Sequence, residues 1–551
     1  MRFSPAPSPP PFRDRLHSLD SSQGDAGSVS YGSVQNVLVR PDLFESCDWS
    51  IGADKEKQYR HELKHSSGYT GKKDHGPLGS FVSNALYAGQ SWFAIALVGI
   101  LTGTIAGMMQ IFKAWLFDFR VGTCVSKGFW YSKYECCQDE PDFNSCKEFV
   151  TWGLLFSENM FIRTVLDRFF YTLLSVLMVV LSVYLVKALC PLARGSGIPE
   201  LKTILGGFMS ARMLSLTMLL VKVSSLLLAV SGGLCVGMES CFIHIAGCIS
   251  FVVSGFFSKF RFSDAKFREL LTCACAAGIS VAFGAPIGGV LFAYETLSSY
   301  FPPKTLWRSF FCAIVAELAL KLTDPLHQGT LTIFEVTYHS NFKWFEMLPF
   351  AFLGMIGGVV GSAIQKCIKR YGTLRRTHRI SEHPIAEAVF VTVLTAVSSY
   401  SFLYAREDST LLIAGLYDDC RISGIRAVRD LCDADATPVI MFSLSVVIVV
   451  KFVGLVLASN LAVPGGHFVP CLVIGACIGR IFGTVVAIIH MHMGDFGFFW
   501  ECRDVPICVV PGVYAIIGSA AVLTGVTRAT LSVVVIIFEI TGGLEYIPPT
   551  M

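Results

Sequence analysis

The chain has 551 residues, 53% of them hydrophobic and only 15% charged, with a formal net charge of +3. An ordinary soluble domain carries about 25% charged residues, so this composition excludes a water-soluble globule and points to a chain that crosses a bilayer many times. The small, dispersed basic excess excludes nucleic acid as a partner. With neither an H-E-x-x-H spacing nor a phosphate-binding glycine loop, no metal or other cofactor is expected.

The N-terminus, Met1-Arg-Phe-Ser-Pro-Ala-Pro-Ser-Pro-Pro, is polar and lacks the apolar core of a signal peptide. Residues 1–80 read as a cytosolic tail, disordered in its first half. Lys55, Lys57, Arg60, Lys64, Lys72 and Lys73 gather before the first apolar run, as the positive-inside rule requires of a cytosolic flank. The membrane domain occupies 81–551. Its apolar stretches lie near 91–119, 160–190, 213–231, 241–257, 270–297, 307–322, 345–368, 384–403, 438–458, 468–490 and 509–541. A spanning helix needs about 20 apolar residues. Several stretches are shorter, several contain Gly-Pro interruptions, and the last must hold two helices. The expectation is an all-helical membrane protein with broken, tilted and partial helices, the pattern of transporters. Polar loops near 120–158, 323–343 and 405–437 separate the spans. The first contains Cys124, Cys136, Cys137 and Cys146. One crossing from a cytosolic tail places it in an oxidising compartment, where disulfides are expected over free thiols. Cysteines inside apolar runs, such as Cys241, Cys248, Cys273 and Cys275, read as small core residues.

Three glycine-marked breaks interrupt the apolar runs: Gly195-Ser-Gly-Ile-Pro-Glu200, Gly237-Met-Glu-Ser-Cys241 and Gly466-His-Phe-Val-Pro470. A broken helix in hydrocarbon leaves bare N–H groups, tolerable only beside protein or a water-lined cavity. Those N–H groups lie at the positive end of a helix dipole, so three such ends meeting at mid-membrane would form an anion site. Ser196 opens a helix, as an N-cap or with its hydroxyl aimed at an anion. Glu239 lies near a helix start, and a carboxylate within a membrane is a functional candidate by default. Phe468 and Val469 matter through their backbone N–H groups, with Gly466 permitting close approach and Pro470 suiting the first turn. His467 reads as solvated or hydrogen-bonded rather than as a pH sensor. Tyr546 reads as an interfacial anchor or as a hydroxyl donor to an anion.

An internal repeat is also visible. Ala285–Glu295 matches Ala529–Glu539 in its terminal Ala and Glu at an offset of 244, and Gly237 matches Gly466 at 229. Two halves are expected, near 90–300 and 345–551.

On these motifs the chain resembles the CLC family of chloride channels and chloride/proton exchangers. The first motif, Gly195, Ser196, Gly197, Ile198 and Pro199, is intact, and so is the third, from Gly466 to Pro470. The second departs from the family's G-[KR]-E-G-P at Met238, Ser240 and Cys241. The runs Ser280–Phe292, Lys304–Phe311, Phe538–Tyr546 and Phe129–Tyr131 with Cys136 and Cys137 resemble the endosomal branch. The resemblance implies an inverted repeat of two halves. It implies a chloride site formed by Ser196, Phe468, Val469 and Tyr546, and Glu239 as a gate that occupies this site when ionised and leaves it when protonated. Family exchangers carry a glutamate as inner proton acceptor where this chain has Thr296. Glu295 is about 100° around the helix and reads as structural, like its repeat partner Glu539. The family's usual cation before the gate is Met238 here, which predicts a weaker local field.

The reading at this stage is a passive chloride channel gated by Glu239, voltage- and pH-dependent, with a chloride/proton antiporter as the alternative. An enzyme built on Glu239 and His244 is disfavoured, because a spacing of five does not align them on one helix face. The resemblance further implies a homodimer in the bilayer, with an endosomal or Golgi membrane favoured over the plasma membrane. The sequence stops five residues after Tyr546, without the paired CBS domains usual in eukaryotic relatives.

Overall fold

The computed structural model describes residues 77–137, 146, 148–208, 211–261, 263–323, 343–418, 437–492, 502, 508–541 and 547–551. The described chain is helical apart from one small hairpin. The first helices are α1 (Pro77–Val121), α2 (Met160–Leu189), α3 (Ile198–Leu205), α4 (Leu216–Ser231), α5 (Glu239–Ser254), α6 (Asp264–Phe283), α7 (Pro286–Phe292) and α8 (Pro303–Leu322). The second set is α9 (Met347–Thr377), α10 (Pro384–Ser401), α11 (Ser409–Tyr417), α12 (Thr437–Ala458), α13 (Phe468–His492), α14 (Pro511–Thr527) and α15 (Leu531–Thr541). Six helices among the described residues are long and apolar enough to cross a membrane. Others, such as α3 with eight residues and α5 with sixteen, are too short to span alone at 1.5 Å per residue. The last apolar stretch holds two helices, α14 and α15, as its length requires.

Gly and Pro place the helix ends. Ser215 caps α4 by accepting the N–H of Met218. Gly284, at φ 68°, ends α6 in a left-handed turn that suits glycine, and Pro286 opens α7. Within lipid, small residues let helices approach closely. A Cβ on Gly103 of α1 would lie 2.8 Å from the Cβ of Ala319 on α8. On α13, Gly475 would meet the backbone of Gly518 on α14 at 2.5 Å. The core is centred on α5 and α6, whose side chains are buried almost without interruption, while α2, α9 and α12 expose wide apolar faces such as Phe169, Leu177, Met355 and Val449 to the lipid.

The expected repeat is present. The segment α4 to α7 corresponds to α12 to α15. Their equivalence extends to hydrogen bonds: Glu295 accepts the N–H groups of Thr530 and Ser532 at 2.9 Å each, at the start of α15. Its counterpart Glu539 accepts those of Ile287 at 2.9 Å and Gly288 at 2.7 Å, at the start of α7. Each half therefore closes a helix start in the other, and both glutamates play the structural part expected of them.

After α1 the chain forms an antiparallel hairpin of β1 (Gly122–Cys124) and β2 (Phe149–Thr151). Disulfides Cys124–Cys136 and Cys137–Cys146 bind this loop, as expected for it, and a third, Cys502–Cys508, lies between α13 and α14. The 405–437 segment differs from the polar loop expected there. Its described part contains α11, whose Leu412, Ile413, Leu416 and Tyr417 are buried, because a two-turn apolar run continues the core beyond the charged residues.

Candidate functional site

The three breaks, far apart in sequence, join through backbone hydrogen bonds. Gly237 N–H donates to the carbonyl of Gly466 at 2.8 Å, and Gly466 N–H returns the bond to Gly237 at 2.9 Å, an isolated antiparallel bridge. Gly195 N–H donates to Val463 at 3.1 Å, and Gly465 N–H donates to the carbonyl of Gly195 at 3.4 Å. The Sγ of Cys241 also reaches that carbonyl, at 3.8 Å. The glycines permit this contact: a Cβ on Gly466 would overlap the Ser240 Oγ, and one on Gly237 would lie 2.6 Å from the Glu239 carboxylate. Helices α3, α5 and α13 therefore all begin at one buried junction. The first N–H groups of a helix have no partner within it, and three helices start at this junction.

The structure refines several readings of individual residues. The N-cap of α3 is Gly197, at φ 86°, rather than Ser196. Ser196 precedes it because the left-handed cap requires glycine, and its hydroxyl accepts the N–H of Ile198 at 3.4 Å. Pro199 lies in the first turn. Phe468 and Val469 begin α13 and are buried, with Pro470 next to them. The Phe468 ring packs against Phe283 and Phe292, with centroids 6.2 and 6.0 Å away. His467 is partly buried. His244 is buried, with its ring packed against Gly197. Thr296 lies in a π turn, Ala293–Leu297, and is partly exposed, next to the capping Glu295. Tyr546 lies outside the described residues.

Glu239 opens α5 with 3% of its surface exposed, and its Oε2 has no hydrogen-bond partner among the described residues. It lines a cavity of about 40 Å³, above the roughly 10–15 Å³ needed to hold one water. Lys113, Met238, Asp408, Lys451 and Val469 also line it. Lys113 Nζ pairs with Asp408 at 2.5 Å. Arg120 lies between the rings of Phe117 and Tyr171, at 4.6 and 4.3 Å. Burial pushes the neighbouring Glu407 carboxyl up from its usual range, opposed by Arg406 and Lys133.

Sequence reasoning missed two buried lysines. Lys222 on α4 has no exposed surface and its Nζ has no hydrogen-bond partner among the described residues. Lys451 on α12 donates to the Ser409 hydroxyl at 3.1 Å. Each precedes its glycine, Gly237 or Gly466, by fifteen residues. The 229-residue offset that pairs the glycines also pairs the lysines, and that signal could have found them.

The family model described as "Voltage gated chloride channel" matches residues 178–551. The H(+)/Cl(-) exchange transporter 5 of Rattus norvegicus is 35% identical over 585 residues, covering 100% of this chain and 70% of its own. The H(+)/Cl(-) exchange transporter 3 of Mus musculus is 36% identical over 538 residues, covering 93% of this chain and 64% of its own. Among solved structures, a eukaryotic CLC transporter superposes with a TM-score of 0.63 at 25% identity, over 85% of this chain and 70% of that one. A slow cyanobacterial Cl−/H+ antiporter shares the fold, with a TM-score of 0.60 at 19% identity over 84% of this chain and 91% of that one.

Proposed function

Because the chain belongs to the voltage-gated chloride channel family, we propose that it carries chloride across a membrane in exchange for protons, through the junction of its three helix breaks, with Glu239 as the gate. The observation that carries this reading is the hydrogen-bonded meeting of the breaks around a buried carboxylate with a free oxygen. Chloride entering the junction exchanges its hydration for N–H donors at the starts of α3 and α13 and for the Ser196 hydroxyl. Because these are dipoles rather than full charges, the ion is held weakly enough to leave. An ionised Glu239 competes for the same donors, since it is itself an anion at a helix start. Protonation removes that attraction and releases the path, which links chloride movement to protons. The buried Lys222 and Lys451 add positive charge near the junction, where the low dielectric strengthens it.

Sequence reasoning favoured a passive channel. The relatives' names, exchange transporters, support the antiporter instead. A passive reading retains one specific observation: Thr296 stands where an inner proton acceptor is expected, and a hydroxyl does not ionise there. In proteoliposomes, a chloride gradient should drive protons uphill through the wild-type chain. A wild type that carries chloride without moving protons uphill would overturn the exchange reading, and gain of coupling in Thr296→Glu would then identify the missing acid. Homodimeric assembly and residence in an endosomal or Golgi membrane belong to the same proposal, on the strength of the motif resemblance.

A further inference from the structure

The second motif lacks the cation that normally precedes the gate, since position 238 is methionine. The cavity at Glu239 nevertheless has cations in its wall, and one of them, Lys113, comes from α1. It is the one cation of the apolar run 91–119, whose other charged residue is Asp118, and it is 8% exposed. An ammonium at that depth is costly and marks a functional position unless something else accounts for it. Asp408 accounts for part of the cost, at 2.5 Å, and Thr410 Oγ1 accepts a second bond at 3.3 Å. The side chains of Lys113 and Met238 line the same cavity, from different helices, beside the same carboxylate.

The charges of the wall give this placement a consequence. Lys113, Arg120, Arg406 and Lys451 face Glu239, Glu407 and Asp408. Four cations against three carboxylates leave an excess of at least one positive charge when Glu239 is ionised, and protonation of Glu239 raises that excess by one. The cavity is therefore most attractive to an anion in the state in which the gate has released the path. Arg120 is held between two aromatic rings and Arg406 lies over Tyr400 at 5.5 Å, which leaves the lysines as the more compact charges.

We propose that Lys113 replaces in trans the cation absent from position 238, and that it sets the apparent affinity for chloride entering toward Glu239. Asp408 holds Lys113 in place and masks part of its charge. This inference rests on the transport reading above. An alternative is that the Lys113–Asp408 pair only fastens α1 to the segment before α11.

The two roles predict opposite effects, readable in the full-length chain reconstituted in proteoliposomes, as chloride flux against chloride concentration at low and high impermeant salt. Lys113→Met should raise the half-saturating chloride concentration about tenfold, with a smaller effect at high salt. The double variant Lys113→Met with Met238→Lys should return it toward wild type. Asp408→Asn, which unmasks the ammonium, should lower it. A merely structural pair would make Asp408→Asn resemble Lys113→Met, with loss of thermal stability, unchanged half-saturation and no rescue by Met238→Lys; that result overturns the inference. The Asp408 arm keeps the test decisive if Lys113→Met fails to fold. Absence of chloride flux in the wild type would instead refute the transport reading.

Discussion

The bridge between the second and third breaks can be tested through one glycine. A Cβ on Gly466 would overlap the Ser240 Oγ and come within 2.8 Å of the Ser240 Cβ, while its next neighbour, the Gly237 carbonyl, is at an ordinary 3.5 Å. The obstruction in Gly466→Ala is therefore almost wholly the Ser240 side chain. Relief requires the bridge to open. Its two bonds, at 2.8 and 2.9 Å, are worth about 0.5–1.5 kcal/mol each, and overpacking typically costs about 1–3 kcal/mol. Gly466→Ala should thus cost about 2–4 kcal/mol, seen as a lower thermal midpoint in detergent. Chloride flux should fall at least tenfold, since roughly 1.4 kcal/mol at the site is a factor of ten. Ser240→Gly alone should cost no more than about 1 kcal/mol, the usual penalty of glycine in a helix. Combined, the two substitutions should recover most of the stability and flux lost in Gly466→Ala, a strongly non-additive cycle as expected of residues in contact. A wild-type-like Gly466→Ala, or a double variant in which the losses merely add, would refute the placement of α5 against α13.

Glu239→Ala should keep chloride flux while losing its pH dependence and any uphill proton movement; retained pH dependence in a folded variant would remove Glu239 from the gate. Glu295→Gln and Glu539→Gln should each lower the thermal midpoint, by about 1–2 kcal/mol for a weakened charge-assisted cap at a helix start, and unchanged midpoints in both would mean that the reciprocal caps contribute nothing.

Much of this architecture was legible in the sequence because the bilayer leaves few choices. Apolar runs gave nearly every helix, and glycine with proline gave the breaks, since a bare N–H in hydrocarbon needs a marked exception. The repeat was legible from Ala285 and Glu295 against Ala529 and Glu539, yet their reciprocal capping was not, because sequence shows equivalence and not contact. The bridge from Gly237 to Gly466 was illegible for the same reason. Ser196 reads from residue type as an N-cap or as a hydroxyl aimed at an anion, and the left-handed backbone at Gly197 transfers the cap by one position. Lys113 was overlooked because one cation in a long apolar run does not alter its character. Its partner, Asp408, lay in a segment read as a polar loop and is instead part of the cavity wall.

The altered second motif illustrates how such a site tolerates change. Two of the three departing residues acquire a contact that the residue displaced would not make. The Ser240 hydroxyl occupies the space that Gly466 leaves open. Cys241 places a thiol 3.8 Å from the carbonyl of Gly195, whereas proline has no donor to offer there. Both contacts run between breaks, from the second to the third and from the second to the first, and so reinforce the backbone bonds that already join them. Met238 alone brings no polar group, and charge is the one property that a local contact cannot restore. It can be restored only from another helix, because an electrostatic field, unlike a hydrogen bond, depends on where the charge lies and not on which segment carries it. That asymmetry is why the swap between Lys113 and Met238 should succeed, whereas exchanging Ser240 or Cys241 with residues elsewhere should not.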